Sequence, residues 1–302
     1  MEQTWFWYRL YGCTVRSEME YPHLLDTDSR TEDLTIRISE LKRRIKDPKG
    51  CFVDTITRDR IYFCNQVGCF LITGGTQIEI CPNPGVEIEA MTPFVFGYCI
   101  AMLFWQRGLT AIHCSAVEKE GKALLISGYS GAGKSTLTTV LLENGYRLMT
   151  DDVAILKATD DEIIVYPAFP QQKLCRDAVE RNRMDTRELI YIDEDRDKYA
   201  IPRKDHFCQD PCELIGIICL NVHKEQELVF GEIAGAGKLT AFLENLFLFP
   251  MFRANQVFTP QDMQWCLDVV QRVPVYGMIR PEGLDCTAQQ LKIVDDRIFG
   301  NQ

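Results

Sequence analysis

The sequence has little positive charge. Its 302 residues include 33 Lys and Arg against 43 Asp and Glu, for a formal net charge of -10. A broad surface for nucleic acid or anionic lipid needs the opposite balance, so the composition argues against both partners. The opening residues Met1-Glu2-Gln3 lack the basic and then apolar pattern of a secretory signal peptide. We therefore expect a cytoplasmic protein that contacts neither nucleic acid nor membrane.

Long apolar runs and a paired set of cysteines are also missing. The longest apolar run, Phe94–Trp105, is too short for a membrane-spanning helix, which takes about 20 residues, and predicts a buried helix. The 13 cysteines are an odd number, so we expect reduced thiols and not a closed disulfide set. His206, Cys208 and Cys212 are spaced more like metal ligands, but no fourth partner follows, which favours scattered thiols over zinc.

Residues 1–88 are rich in short segments that are typical of β-strands. These segments share aromatic and β-branched residues, are separated by turn residues, and lie at 5–11, 34–38, 60–64, 69–73 and 78–80. Gly74-Gly75 predicts a hairpin turn between the last two. Pro82-Asn83-Pro84-Gly85 is the strongest breaker cluster, so we place a boundary after it. The prediction is a β-rich domain over 1–88 and a second domain over 89–302.

The second region alternates between predicted strands and helices. A helix at about 92–106 precedes strands at 109–113 and 123–127, and a glycine-rich loop, a helix and a strand at 146–150 follow. This order predicts a mixed α/β fold. Further strands are predicted at 163–166 and 214–220, and helices at 239–249 and 260–272.

The loop after strand 123–127 matches a phosphate-binding pattern. Residues 128–135, Gly-Tyr-Ser-Gly-Ala-Gly-Lys-Ser, fit G-x-x-x-x-G-K-[ST] at every fixed position. Glycines let backbone N–H groups approach phosphate oxygens, and the following helix adds the positive end of its dipole. We therefore expect ATP to bind through Gly128, Ser130, Gly131, Ala132, Gly133, Lys134, Ser135 and Thr136.

Two polar residues of this loop have specific roles in such sites. Lys134 can reach the β- and γ-phosphates, and the Ser135 hydroxyl can ligate Mg²⁺. A similar stretch at Gly235-Ala236-Gly237-Lys238 is followed by Leu239 in place of Ser or Thr. We interpret that stretch as the start of a helix.

Asp151-Asp152 follows strand 146–150 and comes soon after the phosphate loop. If this strand runs parallel to strand 123–127, the carboxylates emerge beside the loop. One can then hold Mg²⁺ and the other can accept the proton of an attacking hydroxyl. His113 ends the strand predicted at 109–113; a lone histidine is more often a satisfied polar group than a functional one.

At these positions the chain resembles the catalytic domain of HPr kinase/phosphorylase and the wider group of HPr-kinase-like proteins. In that family a histidine precedes the phosphate-loop strand, the loop reads G-x-S-G-x-G-K-S, and a helix and a strand lead to a paired Asp. His113, the loop at 128–135 and Asp151-Asp152 follow in this order, so residues 113–152 carry the resemblance.

The resemblance implies a fold and residue roles. It implies an α/β P-loop core shared with phosphoenolpyruvate carboxykinases, next to a smaller β-rich N-terminal domain. It also implies Asp151 as the general base, assisted by His113, and Ser135 and Asp152 as Mg²⁺ ligands, although the adjacent Asp residues leave their division of roles open. The family is often oligomeric, which leaves a homo-oligomer open.

Elsewhere the chain departs from the HPr enzymes. It lacks their signature segment for HPr docking and phosphorylase activity. Residues 112–117, Ile-His-Cys-Ser-Ala-Val, are similar to a segment of HPr-kinase-like proteins encoded with peptide-modification systems, including kinases of lasso-peptide precursors. We therefore expect the phosphate acceptor to be a serine of a peptide or protein, or a small hydroxylated metabolite.

Two further classes of protein bind nucleotides through such a loop. A regulatory or adaptor protein without transfer chemistry needs Lys134 and Ser135 but neither Asp151 nor His113, so keeping all four favours an enzyme. A GTPase carries N-K-x-D after a late strand, which residues 221–224 do not fit. Outside the loop, Lys198 is our first candidate for neutralising phosphate charge. The other basic candidates are Lys173, Arg176 and Arg203.

Overall fold

The computed structural model describes residues 4–42, 52–181, 185, 189–193 and 197–300. Met1-Glu2-Gln3, discussed above, lie outside the described residues. The strands, in chain order, are β1 Phe6–Leu10, β2 Cys13–Ser17, β3 Leu25–Asp26, β4 Leu34–Ile38, β5 Phe52–Ile56, β6 Arg60–Cys64, β7 Gly68–Thr73, β8 Gln77–Pro82, β9 Thr110–Lys119, β10 Lys122–Gly128, β11 Arg147–Ala158, β12 Ile163–Tyr166, β13 Gln171–Cys175, β14 Ile190–Asp193, β15 Asp197–Pro202, β16 Cys212–His223, β17 Val229–Glu232 and β18 Val275–Pro281. The helices are α1 Ile88–Gln106, which includes 3-10 and π turns, α2 Lys134–Glu143, α3 Arg176–Arg181, α4 Ala236–Glu244, α5 Phe249–Ala254, α6 Pro260–Arg272 and α7 Thr287–Ile293.

The mixed α/β fold class is confirmed. The chain separates into two compact units, Met1–Ala111 with Leu246–Met263 and Ile112–Asn245 with Gln264–Gln302. This division follows packing and not chain order, because residues 246–263 return to the first unit. The predicted domains at 1–88 and 89–302 stay a prediction, since compact units are not tests of independent folding.

The first unit contains an eight-stranded sheet in the order β3-β1-β2-β4-β8-β7-β6-β5. Strands β4 and β6 match their predicted bounds, and β2, β3 and β5 were not predicted. The hairpin between β7 and β8 turns at Gly74 and Gly75, both with positive φ, as predicted. Alternating side chains such as Ile78 and Ile80 are fully buried, so the sheet covers the core of this unit.

Helix α1 is longer than the sequence suggested. It has 19 residues and is long and apolar enough to cross a membrane by length and composition, which the predicted twelve-residue run was not. Within its most apolar window, 61% of the residues are buried inside the structure. Residues 99–105 are all buried, so packing in the first unit accounts for the apolar character of this part of the helix.

The second unit is built on a sheet in the order β10-β9-β11-β12-β16-β18-β17, with an added β10–β16 pairing. Strand β10 pairs parallel with β16 and antiparallel with β9. Strands β11 and β16 are each antiparallel to β12, so β11 runs in the same direction as β10. They are not neighbours, because β9 lies between them. A separate sheet, β13-β15-β14, completes the unit.

Several predicted boundaries are wrong. The strand predicted at 146–150 continues to Ala158 as β11, and the strand predicted at 109–113 continues to Lys119 as β9. Both extensions are mostly buried on successive residues, so they do not show the period-two pattern of a half-exposed strand. The helix predicted at 239–249 ends at Glu244 as α4, and a separate helix, α5, begins at Phe249.

Candidate functional site

The phosphate loop connects β10 to α2. Gly128, Gly131 and Gly133 all have positive φ, at 135°, 93° and 109°. A Cβ at position 128 would lie 2.4 Å from the Leu220 carbonyl oxygen of β16, so the strand pairing leaves room only for glycine. Helix α2 ends in the predicted glycine cap, since the Gly145 and Tyr146 N–H groups donate to the carbonyls of residues 142 and 141.

The remaining predicted loop residues lie around the start of α2. Ser130 is exposed, Ala132 is fully buried, and Ser135 and Thr136 are half-buried in the first turn of the helix. The N-terminus of this ten-residue helix therefore opens on the loop, as an anion site requires. Backbone conformation and helix position both fit a bound nucleotide phosphate.

Lys134 is folded back over its own loop. Its Nζ donates to the carbonyl oxygens of Gly128 at 2.7 Å and Tyr129 at 3.4 Å. Burial lowers the pKa of this amine, while the carboxylates of Asp151 and Asp152 act to raise it. The lysine is thus within electrostatic reach of the acidic pair.

Two residues that the sequence did not single out hold the loop from outside. The Arg280 guanidinium donates from Nε to the Ala132 carbonyl at 2.7 Å and from Nη2 to the Gly131 carbonyl at 3.0 Å. The Asn245 side chain accepts from the Gly128 N–H at 3.1 Å. Arg280 lies at the end of β18 and Asn245 just after α4, and no local pattern connects either residue to the loop.

Asp151 lies inside β11 and is 8% exposed. Its Oδ1 accepts a hydrogen bond from the Ser115 hydroxyl on β9, and its Oδ2 accepts from the Lys173 N–H on β13 at 2.7 Å. Burial raises the pKa of Asp151 above its ordinary value, although both hydrogen bonds act against that rise.

Asp152 has a different environment and a strained backbone. Its φ is 126°, a region that residues with a side chain rarely adopt. Its carboxylate lies 3.4 Å from His113 Nδ1 and 3.2 Å from Lys173 Nζ. Burial acts to raise the pKa of Asp152, but the Lys173 charge and the neighbouring His113 ring lower it far below its ordinary range.

This pairing corrects one detail of the sequence analysis. We expected His113 to assist Asp151, whereas its ring contacts Asp152. Both carboxylates contact β9, but at different residues: Asp151 meets Ser115, and Asp152 meets His113. The predicted roles of the two carboxylates stay predictions.

The acidic pair and the loop together offer ligands that suit Mg²⁺. Magnesium prefers oxygen ligands and is commonly held by one or two carboxylates together with substrate phosphates. Asp152 is held in its ionised form and its side chain is 29% exposed, so it fits such a role. The Ser135 hydroxyl supplies a second oxygen at the helix start.

The four basic candidates outside the loop separate into different roles. Lys173 contacts Asp152, and Lys198 is close enough to act to lower the pKa of Lys134. Arg176 is exposed and paired with Asp197. Arg203 donates to the buried Gln172 side chain.

Gln172 connects these elements to the loop helix. Its Nε2 donates to the Ser135 carbonyl and to the Thr139 hydroxyl, both at 3.1 Å. Arg203 therefore stabilises the start of α2 through Gln172. Of the four basic candidates, Lys173 contacts the acidic pair, and Lys198 acts electrostatically on the loop lysine Lys134.

The second glycine-rich stretch has the structure that the sequence predicts. The stretch at 235–238 is the start of α4, which begins at Ala236, as predicted. Within the described ranges, no group of three or more His, Cys, Asp or Glu side chains is arranged to hold a metal ion.

Comparison with known proteins identifies relatives for about a third of the chain. No family model matches it. HPr kinase/phosphorylase of Clostridium beijerinckii is 30% identical over 120 residues, covering 35% of this chain and 38% of the relative. Those of Lachnoclostridium phytofermentans and Exiguobacterium sp. are each 38% identical, over 109 and 117 residues, covering 33% and 36% of this chain and 35% and 38% of the relatives.

The predicted resemblance to HPr kinase/phosphorylases is thus confirmed. The match spans well under half the length of these relatives. A solved structure, the Hpr(Ser) kinase/phosphatase from Coxiella burnetii, aligns with 63% of this chain and 97% of its own at 14% identity, and its TM-score of 0.34 is too low to inform the fold. All three sequence relatives carry the name of the family that residues 113–152 resemble.

Proposed function

We propose that this protein is an ATP-dependent kinase that transfers the γ-phosphate to a hydroxyl group. The observation that carries the proposal is the meeting of a glycine loop and helix start with two carboxylates whose pKa values are displaced in opposite directions. Opposed pKa shifts in adjacent carboxylates are typical of sites that divide acid–base work. Relatives named kinase/phosphorylase support the same reaction class.

In this proposal the loop residues 128–136 bind the triphosphate, and Lys134 leaves its carbonyl partners to contact the β- and γ-phosphates. Asp151 accepts the proton of the attacking hydroxyl, since its raised pKa makes it the better base of the pair. Ser115 and the Lys173 N–H orient that carboxylate.

Asp152 and Ser135 would hold Mg²⁺, which when bound neutralises negative charge on the phosphates. His113 and Lys173 keep Asp152 ionised and fix its direction. Lys198 adds positive charge near the loop from β15. These residues together favour phosphoryl transfer over simple nucleotide binding.

We propose a serine hydroxyl of a peptide or protein as the acceptor, with a small hydroxylated metabolite as the second class. The relatives are named for HPr, so HPr belongs in the same test. We also propose a cytoplasmic location, which agrees with the acidic composition and the thiol-rich sequence.

The test measures ADP release from ATP and Mg²⁺ with a panel of acceptors: serine peptides, HPr and polyols. We expect at least one acceptor to stimulate release, and Lys134→Ala to abolish both nucleotide binding and release. Nucleotide binding without stimulation by any acceptor, together with no phosphorylated product by mass spectrometry, would contradict the kinase proposal and favour a regulatory nucleotide-binding protein.

A further inference from the structure

Two cysteine thiols converge just before and at the start of β16. Cys208 Sγ and Cys212 Sγ lie 3.8 Å apart. Each S–H donates to the same acceptor, the main-chain carbonyl oxygen of Asp210, at 3.4 Å. Two sulfur atoms and one carbonyl oxygen, all of which can act as metal ligands, therefore form a triangle. Cys208 is fully buried and Cys212 nearly so, while residues 209–211 between them are exposed.

The dimensions of this triangle match those of a tetrahedral metal site. Zinc binds thiolate sulfur at about 2.3 Å and oxygen at about 2.0–2.2 Å. At tetrahedral angles two such sulfurs are about 3.8 Å apart, and a sulfur and an oxygen about 3.5–3.7 Å apart, close to the 3.8 and 3.4 Å between these atoms. We propose that Cys208, Cys212 and the Asp210 carbonyl form a site for a soft divalent cation such as Zn²⁺, with water as the fourth ligand.

The charges at this site balance. Binding converts both thiols to thiolates and releases two protons to solvent, so the two negative charges match one divalent cation. Arg147 and Glu118 both act electrostatically on Cys208, but they are paired with each other at 2.6 Å and add no net charge. The surroundings therefore neither repel the cation nor leave a charge unpaired.

The position of the site gives the metal a structural role. The Cys208 N–H donates to the Leu148 carbonyl of β11 at 2.8 Å, and Cys212 pairs with Val165 of β12. The triangle thus connects the segment at 208–212 to the strand that carries the acidic pair. A metal ion bound to the triangle would restrict the motion of residues 208–212. It would also stabilise the second unit, because the metal binds the folded chain and not the unfolded one.

This arrangement explains why side-chain spacing alone did not predict the site. The sequence offers two thiols and a nearby histidine, whereas the third ligand in the structure is a main-chain carbonyl. A carbonyl has no sequence signature, since every residue has one.

The experiment uses the reduced, metal-free full chain and titrates it with Cd²⁺ and with Zn²⁺. Cadmium binding is followed by the thiolate-to-cadmium charge-transfer band in the ultraviolet. We expect the Cys208→Ser and Cys212→Ser double variant to lose one equivalent of bound metal, and each single variant to bind at least about tenfold more weakly. Cys266→Ser, which removes a buried thiol from α6, is the control and should keep that equivalent.

A second measurement needs only the parent protein. Iodoacetamide labelling in urea below the unfolding transition, where buried thiols are exposed part of the time, should be slowed by Zn²⁺ more strongly at Cys208 and Cys212 than at the buried control thiol Cys266, as mapped by mass spectrometry. An unchanged cadmium band in the double variant, or equal labelling of both cysteines with and without Zn²⁺, would overturn the proposal. Neither readout depends on nucleotide turnover.

Discussion

The phosphate loop and the acidic strand β11 contribute to one site in different ways. The loop is contiguous in the chain, and its glycines and helix start can be read from residues 128–136 in order. The acidic pair works only with partners from elsewhere: Ser115 and His113 on β9, and Lys173 on β13. A local motif thus predicts the ligand, a nucleotide phosphate. The chemistry proposed for the site depends on residues that the fold brings together from separate strands.

The same contrast divides the two carboxylates. Asp151 and Asp152 are neighbours in sequence, yet burial raises the pKa of one while a lysine and a histidine lower that of the other. Nothing in an Asp-Asp pair distinguishes its members. Both contact β9 and β13, so the distinction comes from which atoms those strands present to each carboxylate: a hydroxyl and a main-chain N–H to Asp151, and a histidine ring and an ammonium group to Asp152.

The largest expected effect concerns the acidic strand. Asp151→Asn should lower the rate of acceptor-dependent turnover by about 10²- to 10⁴-fold, because it removes the proposed base and keeps the shape of the side chain. Nucleotide affinity should change little. Turnover is measured as ADP release and affinity by calorimetry, with the exposed Asp161→Asn as the control. A turnover rate in Asp151→Asn equal to that of the parent protein would show that Asp151 is not the base.

The next effect concerns how strongly the loop depends on β16. Gly128→Ala should destabilise the protein by about 3 kcal/mol or more, because its Cβ would lie 2.4 Å from the Leu220 carbonyl oxygen at a strained φ. Gly145→Ala also has positive φ but meets open space, and should cost about 1 kcal/mol. Urea unfolding compares the two. Equal losses would mean that strand pairing does not constrain the loop.

A third prediction concerns the hydrogen bonds from Arg280 of β18 to the phosphate loop. Arg280→Ala should weaken ATP binding by about tenfold, since two charge-assisted hydrogen bonds to loop carbonyls are lost. Arg280→Lys should recover only part of it, because lysine cannot make the same fork. Arg272→Ala, which removes an exposed pair with Asp268, is the control. The dissociation constant of ATP is measured by calorimetry. An affinity in Arg280→Ala equal to that of the parent protein would mean that the loop holds its binding conformation without Arg280.

The smallest effect is a shift in pH dependence. The Ser115 hydroxyl lowers the pKa of Asp151, so Ser115→Ala should raise that pKa further. The base must be deprotonated to act, and the acidic limb of turnover against pH should therefore move to higher pH, with little change on the plateau. Ser127→Ala, a buried serine of β10 that donates to Ile218, is the control. An unmoved limb would mean that Asp151 is not the titrating base.

Much of the fold was accessible from sequence patterns, with consistent failures at element ends. Strands β4, β6 and β12 and helix α6 have the bounds that periodicity predicts. Strands β9 and β11 extend past their predicted ends, because their later residues pair with the following strands β10 and β12 in antiparallel hairpins. The first turn of α1, residues 88–91, was missed because Glu89 and Ala90 are exposed there, so no apolar pattern marks it.

The sequence by itself determined the phosphate loop, because backbone conformation there depends on glycines and a helix start that lie next to each other in the chain. Only the tertiary structure decided that Asp152 and not Asp151 meets His113, that Arg280 and Asn245 hold the loop, and that a carbonyl joins two thiols at 208–212. The physical reason is range. Conformational preferences act over a few residues, whereas the pKa of a carboxylate and the closure of a ligand set depend on whichever atoms packing brings within a few ångströms.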